Sequence, residues 1–138
     1  MVKRMSKLSV EALMQKMDKL VEEKIQEEVN NYSESYKSSK WYREPTFEDV
    51  VGETIAGEAE KLKEALKSND EKRLKDVFES LEAAAKEYGK SYFDEDLNCY
   101  RTGCEYECML FTELRNIAAV PLGITEVDYH DYYEGYGY

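Results

Sequence analysis

Apolar residues return at three- and four-residue steps through most of this chain, and that spacing predicts helices. Val10, Met14, Met17, Val21, Ile25, Val29 and Tyr32 share one face of a helix expected over residues 10–32. Ser9 stands at its N-cap, and Glu23, Gln26, Glu27 and Asn30 face outward. A second stripe, Phe47, Val50, Val51, Ile55, Ala59, Leu62 and Leu66, begins after Pro45 and predicts one helix ending near Ser68-Asn69. Thr46 with Asp49 three residues on resembles a capping box. Gly52 and Gly57 fall inside this stretch, each costing about 1 kcal/mol relative to Ala. The third stripe is Leu74, Val77, Phe78, Leu81, Ala85 and Tyr88, with Ser68 and Glu71 as its expected capping box and Gly89 at its C′ position. So short a connection makes the second and third helices an antiparallel hairpin. Leu97, Cys104, Cys108, Phe111, Leu114 and Ala118 predict a fourth helix over residues 97–119, ended by Pro121 and preceded by the acidic run SYFDED.

Two stretches lack this period. NNYSESYKSSKWYRE reads as a loop, with Trp41 expected as a lid over one end of the core. LGITEVDYHDYYEGYGY has no helical stripe, and Ile124, Val127 and Tyr129 fit one short strand or an extended arm. The expected fold is all-α, a four-helix bundle-like single domain over residues 1–120 carrying an extended acidic, Tyr-rich C-terminal arm over residues 121–138.

Length and composition agree with this. A chain of 138 residues is the size of one domain and buries roughly two-thirds of its unfolded surface, enough for a core without disulfides or metal. The charged fraction, 36%, exceeds the roughly 25% of ordinary domains and is dominated by Lys and Glu, with only two glutamines, a hyperthermophile-like bias. No apolar run reaches the length of a spanning helix, and MVKRMSKLSVEALM lacks the apolar stretch of a secretory signal. The expectation is a soluble cytoplasmic protein with reduced thiols and no membrane partner.

Charge changes the picture most. Lys90 is the last lysine, and the 48 residues after it hold ten carboxylates against Arg101 and Arg115. That segment carries −8 of the net −11, together with eight of twelve tyrosines, all three cysteines and the only histidine. A block of one sign speaks to partners and not to fold. Clustered Lys and Arg are what a nucleic-acid footprint requires, and here the lysines are interleaved with Glu, so direct nucleic-acid binding is not expected.

Candidate chemistry is sparse. Cys99, Cys104 and Cys108 have C-x4-C-x3-C spacing but no fourth ligand to complete a zinc site, and on a helix Cys104 and Cys108 share a face while Cys99 points elsewhere, so core thiols and no metal are expected. His130 lies between Asp128 and Asp131 without a Ser or Cys nucleophile on a defined turn. Glu58, Glu60 and Glu64 on the second helix face Asp76 and Glu79 on the third. Over about thirty residues this loosely resembles the all-α nucleoside triphosphate pyrophosphohydrolases, whose acidic pairs on adjacent helices hold magnesium. The resemblance implies ligand-like places for Glu58, Asp76 and Glu79. Gly57 and Lys61 stand where two of the acids would be, and Asp76-x-x-Glu79 reverses the second pair.

The remaining signal is the arm, where Tyr129, Tyr132, Tyr133, Tyr136 and Tyr138 are interspersed with Glu126, Asp128, Asp131 and Glu134. Spaced anions beside flat rings offer a basic protein surface what a nucleic acid offers it. The expected function is therefore non-enzymatic and cofactor-free. The protein would act as a nucleic-acid mimic or regulator, viral or mobile-element in kind, docking in a basic groove of a nucleic-acid-handling machine. Its expected partner-binding residues are Glu126, Asp128, Tyr129, Asp131, Tyr132, Tyr133, Glu134 and Tyr136. The alternatives are a self-assembling virion or homo-oligomer protein and the magnesium pyrophosphohydrolase.

Overall fold

A computed structural model describes residues 7–135. Its elements in chain order are α1 (Lys7–Asn30), α2 (Glu34–Lys37), α3 (Phe47–Val51), α4 (Glu53–Ser68), α5 (Glu71–Gly89), β1 (Tyr92–Asp94), β2 (Cys99–Arg101) and α6 (Glu105–Leu122), followed by one 3-10 turn, Tyr129–Asp131. The fold is all-α, with α1, α4, α5 and α6 forming the bundle and a two-stranded hairpin as its only sheet among the described residues. The helices run alternately up and down. Lys63 on α4 pairs with Asp18 on α1 at 3.2 Å, Arg73 on α5 with Glu64 on α4 at 3.4 Å, and the Cys104 N–H before α6 donates to the Tyr88 carbonyl at the end of α5 at 2.7 Å.

Met17, Leu62, Leu66, Leu81, Leu110, Phe111 and Leu114 are the fully buried centre, and Leu74 and Phe78 lie with them as their spacing predicts. In α1 the buried face is centred on Leu13 and Met17, slightly rotated from the expected stripe. α6 is buried almost all round, because α5, α4, α1 and the arm each pack on it.

The local differences from expectation have physical causes. The second predicted helix is two. Thr46 and Asp49 do form a capping box for α3, but Gly52 adopts φ +94° and turns the chain before α4 starts. α5 is capped by Asp70, whose carboxylate accepts the N–H groups of Lys72 and Arg73, and not by Ser68, which donates to the Ala65 carbonyl inside α4. Asn69 takes the left-handed conformation that ends α4. Trp41 does not cover the core: it is 74% exposed, while the Tyr32, Tyr36 and Tyr42 rings lock edge to face beside it. The stretch expected to open the fourth helix is a β-hairpin, with Phe93 opposite Tyr100. Asp94 accepts the N–H groups of Asp96 and Leu97, Asn98 is left-handed, and this turn chemistry outcompetes the helix, leaving Leu97 59% exposed. Pro121 does not stop α6. It sits in the last turn, and Gly123 at φ +69° ends the helix.

Gly89 is the last residue of α5, not its C′ cap, and its lack of a side chain serves packing. A Cβ there would strike the Tyr132 carbonyl, and a Cβ on Gly103 would strike the Gly89 carbonyl. Three backbone segments converge where no side chain fits.

Candidate functional site: a clasped acidic arm

Residues 123–135 leave α6 and return along α5 and α6 without forming an α-helix. The clasp begins at Arg115, 4% exposed in the middle of α6. Its Nε and Nη2 donate to Glu82 Oε2 on α5 at 3.3 and 3.2 Å, its Nη1 donates to the Thr125 carbonyl at 2.8 Å, and its guanidinium lies 4.8 Å from the Phe78 ring centre. Asn116 pairs with Val127 as one strand pairs with another, donating to its carbonyl at 2.8 Å and accepting its N–H at 3.2 Å. Tyr132 packs its half-buried ring against the core and donates its hydroxyl to Glu82 at 3.0 Å. Glu134 closes the arm: its N–H donates to the Gly89 carbonyl, its carbonyl accepts from the Gly103 N–H, and its carboxylate accepts from the Ser91 N–H.

Burial pushes the Glu82 carboxyl up, but hydrogen bonds from Tyr132 and Arg115 and the charges of Lys86 and Arg115 outweigh it and hold the group below its usual value. Burial and the Glu82 hydrogen bond push the Tyr132 hydroxyl up, so it stays a donor.

The residues expected to meet a partner divide on this scaffold. Glu126, Asp128 and Asp131 are exposed. Glu126 lies 3.8 Å from Lys16 on α1, and Asp131 has no ion pair among the described residues. Asp128 caps the 3-10 turn by accepting the His130 N–H at 2.9 Å, and that bond and the His130 ring hold its carboxyl below its usual value. Tyr129 and Tyr133 are half-buried neighbours with ring centres 6.3 Å apart, and the Tyr129 hydroxyl donates to Glu105. Tyr132 and the Glu134 carboxylate are engaged within the molecule. Tyr136 and Tyr138 lie outside the described residues.

The other candidate chemistry is dispersed. Cys108 is buried and its thiol is pushed up by burial, whereas Cys99 and Cys104 are exposed, so of the two cysteines expected on one helix face only Cys108 is a core thiol. The Cys108 sulfur points at the Tyr129 carbonyl, and His130 is exposed and turned to Asp128. On α4 and α5, Glu58 pairs with Lys61 and accepts from Ser80, and Glu64 pairs with Arg73. Among the described residues no three His, Cys, Asp or Glu side chains gather as metal ligands. Between α1 and α6 runs an open groove of about 340 Å³, floored by Leu20 and Ile117 and edged by Lys16, Lys19, Glu23 and Glu113. Burial pushes the Glu113 carboxyl up against the opposing pull of Lys24, and its Oε2 is buried without a hydrogen-bond partner among the described residues.

The chain matches no family model, and neither the curated proteins nor the solved structures searched gave a similar chain. Among the described residues no helix is long and apolar enough to cross a membrane.

Proposed function

We propose that this chain is a non-enzymatic acidic binding protein. It docks in a basic groove of a nucleic-acid-handling machine, in its host's cytoplasm, and stands in for nucleic acid there. One observation carries the reading: the arm's backbone is held near its start by Arg115 and Asn116 and near its end by Gly89 and Gly103, while Glu126, Asp128 and Asp131 remain exposed on it. Anions on a fixed backbone lose little conformational entropy when a partner binds. A surplus of carboxylates also draws a basic partner in by long-range attraction. Half-buried Tyr129 and Tyr133 supply flat contact beside those charges.

The test is an affinity column of the full chain loaded with host extract at low salt, beside a column of the E126Q/D128N/D131N variant. Elution with duplex DNA should release a nucleic-acid-binding protein from the first column and much less of it from the second. Equal recovery from both columns, or a bound protein that DNA does not displace, rejects the proposal.

A further inference from the structure

Exposed large apolar side chains are gathered at one end of the bundle. Among the described residues nine are exposed, and seven of them, Tyr36, Trp41, Tyr92, Phe93, Leu97, Tyr100 and Tyr106, sit on the loop after α1, on the hairpin and on the first turn of α6. These segments share an end because α1 and α6 are antiparallel. Lys16 on α1 reaches Glu126, just past the end of α6, at 3.8 Å, and Leu20 and Glu23 of α1 line one groove with Ile117 and Glu113 of α6, which places the start of α6 beside the last turns of α1. The exposed parts of the seven side chains amount to on the order of 600 Å². That approaches the roughly 800 Å² per partner of a standard interface before any polar rim is counted.

Charge selects the occupant. Residues 31–46 hold Lys37, Lys40 and Arg43 against Glu34 and Glu44, a net +1, and residues 90–101 hold Asp94, Glu95 and Asp96 against Lys90 and Arg101, a net −1. These two segments are together neutral in a chain of net −11. Glu27, Glu28, Glu105 and Glu107 add negative charge at the same end, so the attraction between copies is local: the +1 loop of one meets the −1 hairpin of the other, and each copy carries both halves of that pair. Both halves are also held in shape. Ser33 caps α2, and Tyr32, Tyr36 and Tyr42 interlock. In the hairpin Phe93 and Tyr100 pack at 5.2 Å and Arg101 reaches Asp94 at 3.7 Å.

We propose that this end is a homodimer interface, in which a two-fold axis lays the Trp41 loop of each copy against the acidic, aromatic hairpin of the other. Such an isologous contact uses each loop–hairpin pair twice. Trp41 and Tyr100, 74% and 68% exposed, are its anchors, and Lys40 and Arg43 of one copy face Glu95 and Asp96 of the other. The interface does not depend on the docking role of the arm.

Sedimentation velocity of the full chain from low to high micromolar concentration tests it. The expected result is a reversible dimer of twice 16.1 kDa, weakened by added salt, with a blue shift in the emission of Trp41, the single tryptophan, as it forms. W41A and F93A/Y100A should each weaken the dimer at least about tenfold while leaving the helical circular dichroism unchanged. An equimolar mixture of the two variants should recover part of the dimer, because the mixed pair keeps one intact loop–hairpin contact. A monomer at every concentration overturns the proposal. So does a dimer indifferent to both variants, or one that the mixture fails to restore.

Discussion

Replacing Glu82 with Ala removes the acceptor on which the arm's clasp converges. In the folded protein Glu82 Oε2 receives Nε and Nη2 of Arg115 and the hydroxyl of Tyr132. Arg115 is 4% exposed, so the substitution leaves a buried guanidinium with only the Thr125 carbonyl and the Asn116 side chain as acceptors. Breaking a buried pair from one side costs about 3–5 kcal/mol. The Glu82 side chain is 28% exposed, which admits water to the site and brings the expectation down to about 2–3 kcal/mol. For a chain of this length that is a fall in Tm of roughly 6–12 °C. Urea unfolding followed by circular dichroism gives the free energy, and limited chymotrypsin digestion reports release of Tyr129, Tyr132 and Tyr133. Lys86 is the control: its amine lies 3.6 Å from the same carboxylate but is 54% exposed, so K86A should change stability by less than about 0.5 kcal/mol. The reasoning fails if E82A stays within about 0.5 kcal/mol of wild type, or if K86A costs as much as E82A.

Glu82 titrates below its unfolded value, so its contribution is complete above the unfolded pKa and disappears as pH falls through the folded one. The stability gap between wild type and E82Q should therefore be constant near neutrality and shrink below about pH 4. Glu113 has the opposite sign: its folded pKa is raised, so wild type should lose stability relative to E113Q as pH rises from the unfolded pKa through the folded one, measured by urea midpoints across that range. Phe78→Ala, which empties a core site beneath Arg115, should cost on the order of 3–5 kcal/mol in the same unfolding assay. Gly89→Ala forces a Cβ onto the Tyr132 carbonyl and should cost about 1–3 kcal/mol while opening the arm to chymotrypsin, whereas Cys99→Ser, on an exposed strand, should change the unfolding midpoint little.

The helical core was legible because its signal is periodic. Leu74, Phe78 and Leu81 repeat at helical steps and are buried as that pattern requires. The hairpin was not, because the turn formed by Asp94 and Asn98 depends on two local hydrogen bonds and one left-handed residue, and the apolar residues of the hairpin fit a helical stripe equally well. Trp41 shows the limit of composition: its bulk argues for burial, but its loop is closed by the Tyr32, Tyr36 and Tyr42 rings instead. The clasp left a trace in the sequence. Arg115 and Asn116, with Thr112 and Glu113, are the polar residues in the run from Met109 to Leu122, and a cation and an amide there require buried partners. Which partners cannot be read from spacing, because Glu82 is 33 residues away and Thr125 and Val127 are reached only through the path of the arm. Gly89 reads as a helix end in the sequence, and the role it shares with Gly103 as the crossing point of three backbones exists only in the folded chain.

The claim that the arm's carboxylates stand in for nucleic acid is tested most directly by competition. A labelled duplex is bound to the partner recovered from the affinity column, its fluorescence anisotropy is followed, and this protein is titrated in at several salt concentrations. The account predicts complete displacement of the duplex, weakened as salt screens the charges and weaker for E126Q/D128N/D131N, with the loss lying mainly in the association rate. A complex holding duplex and protein at once, or displacement unchanged by the three substitutions, would contradict it.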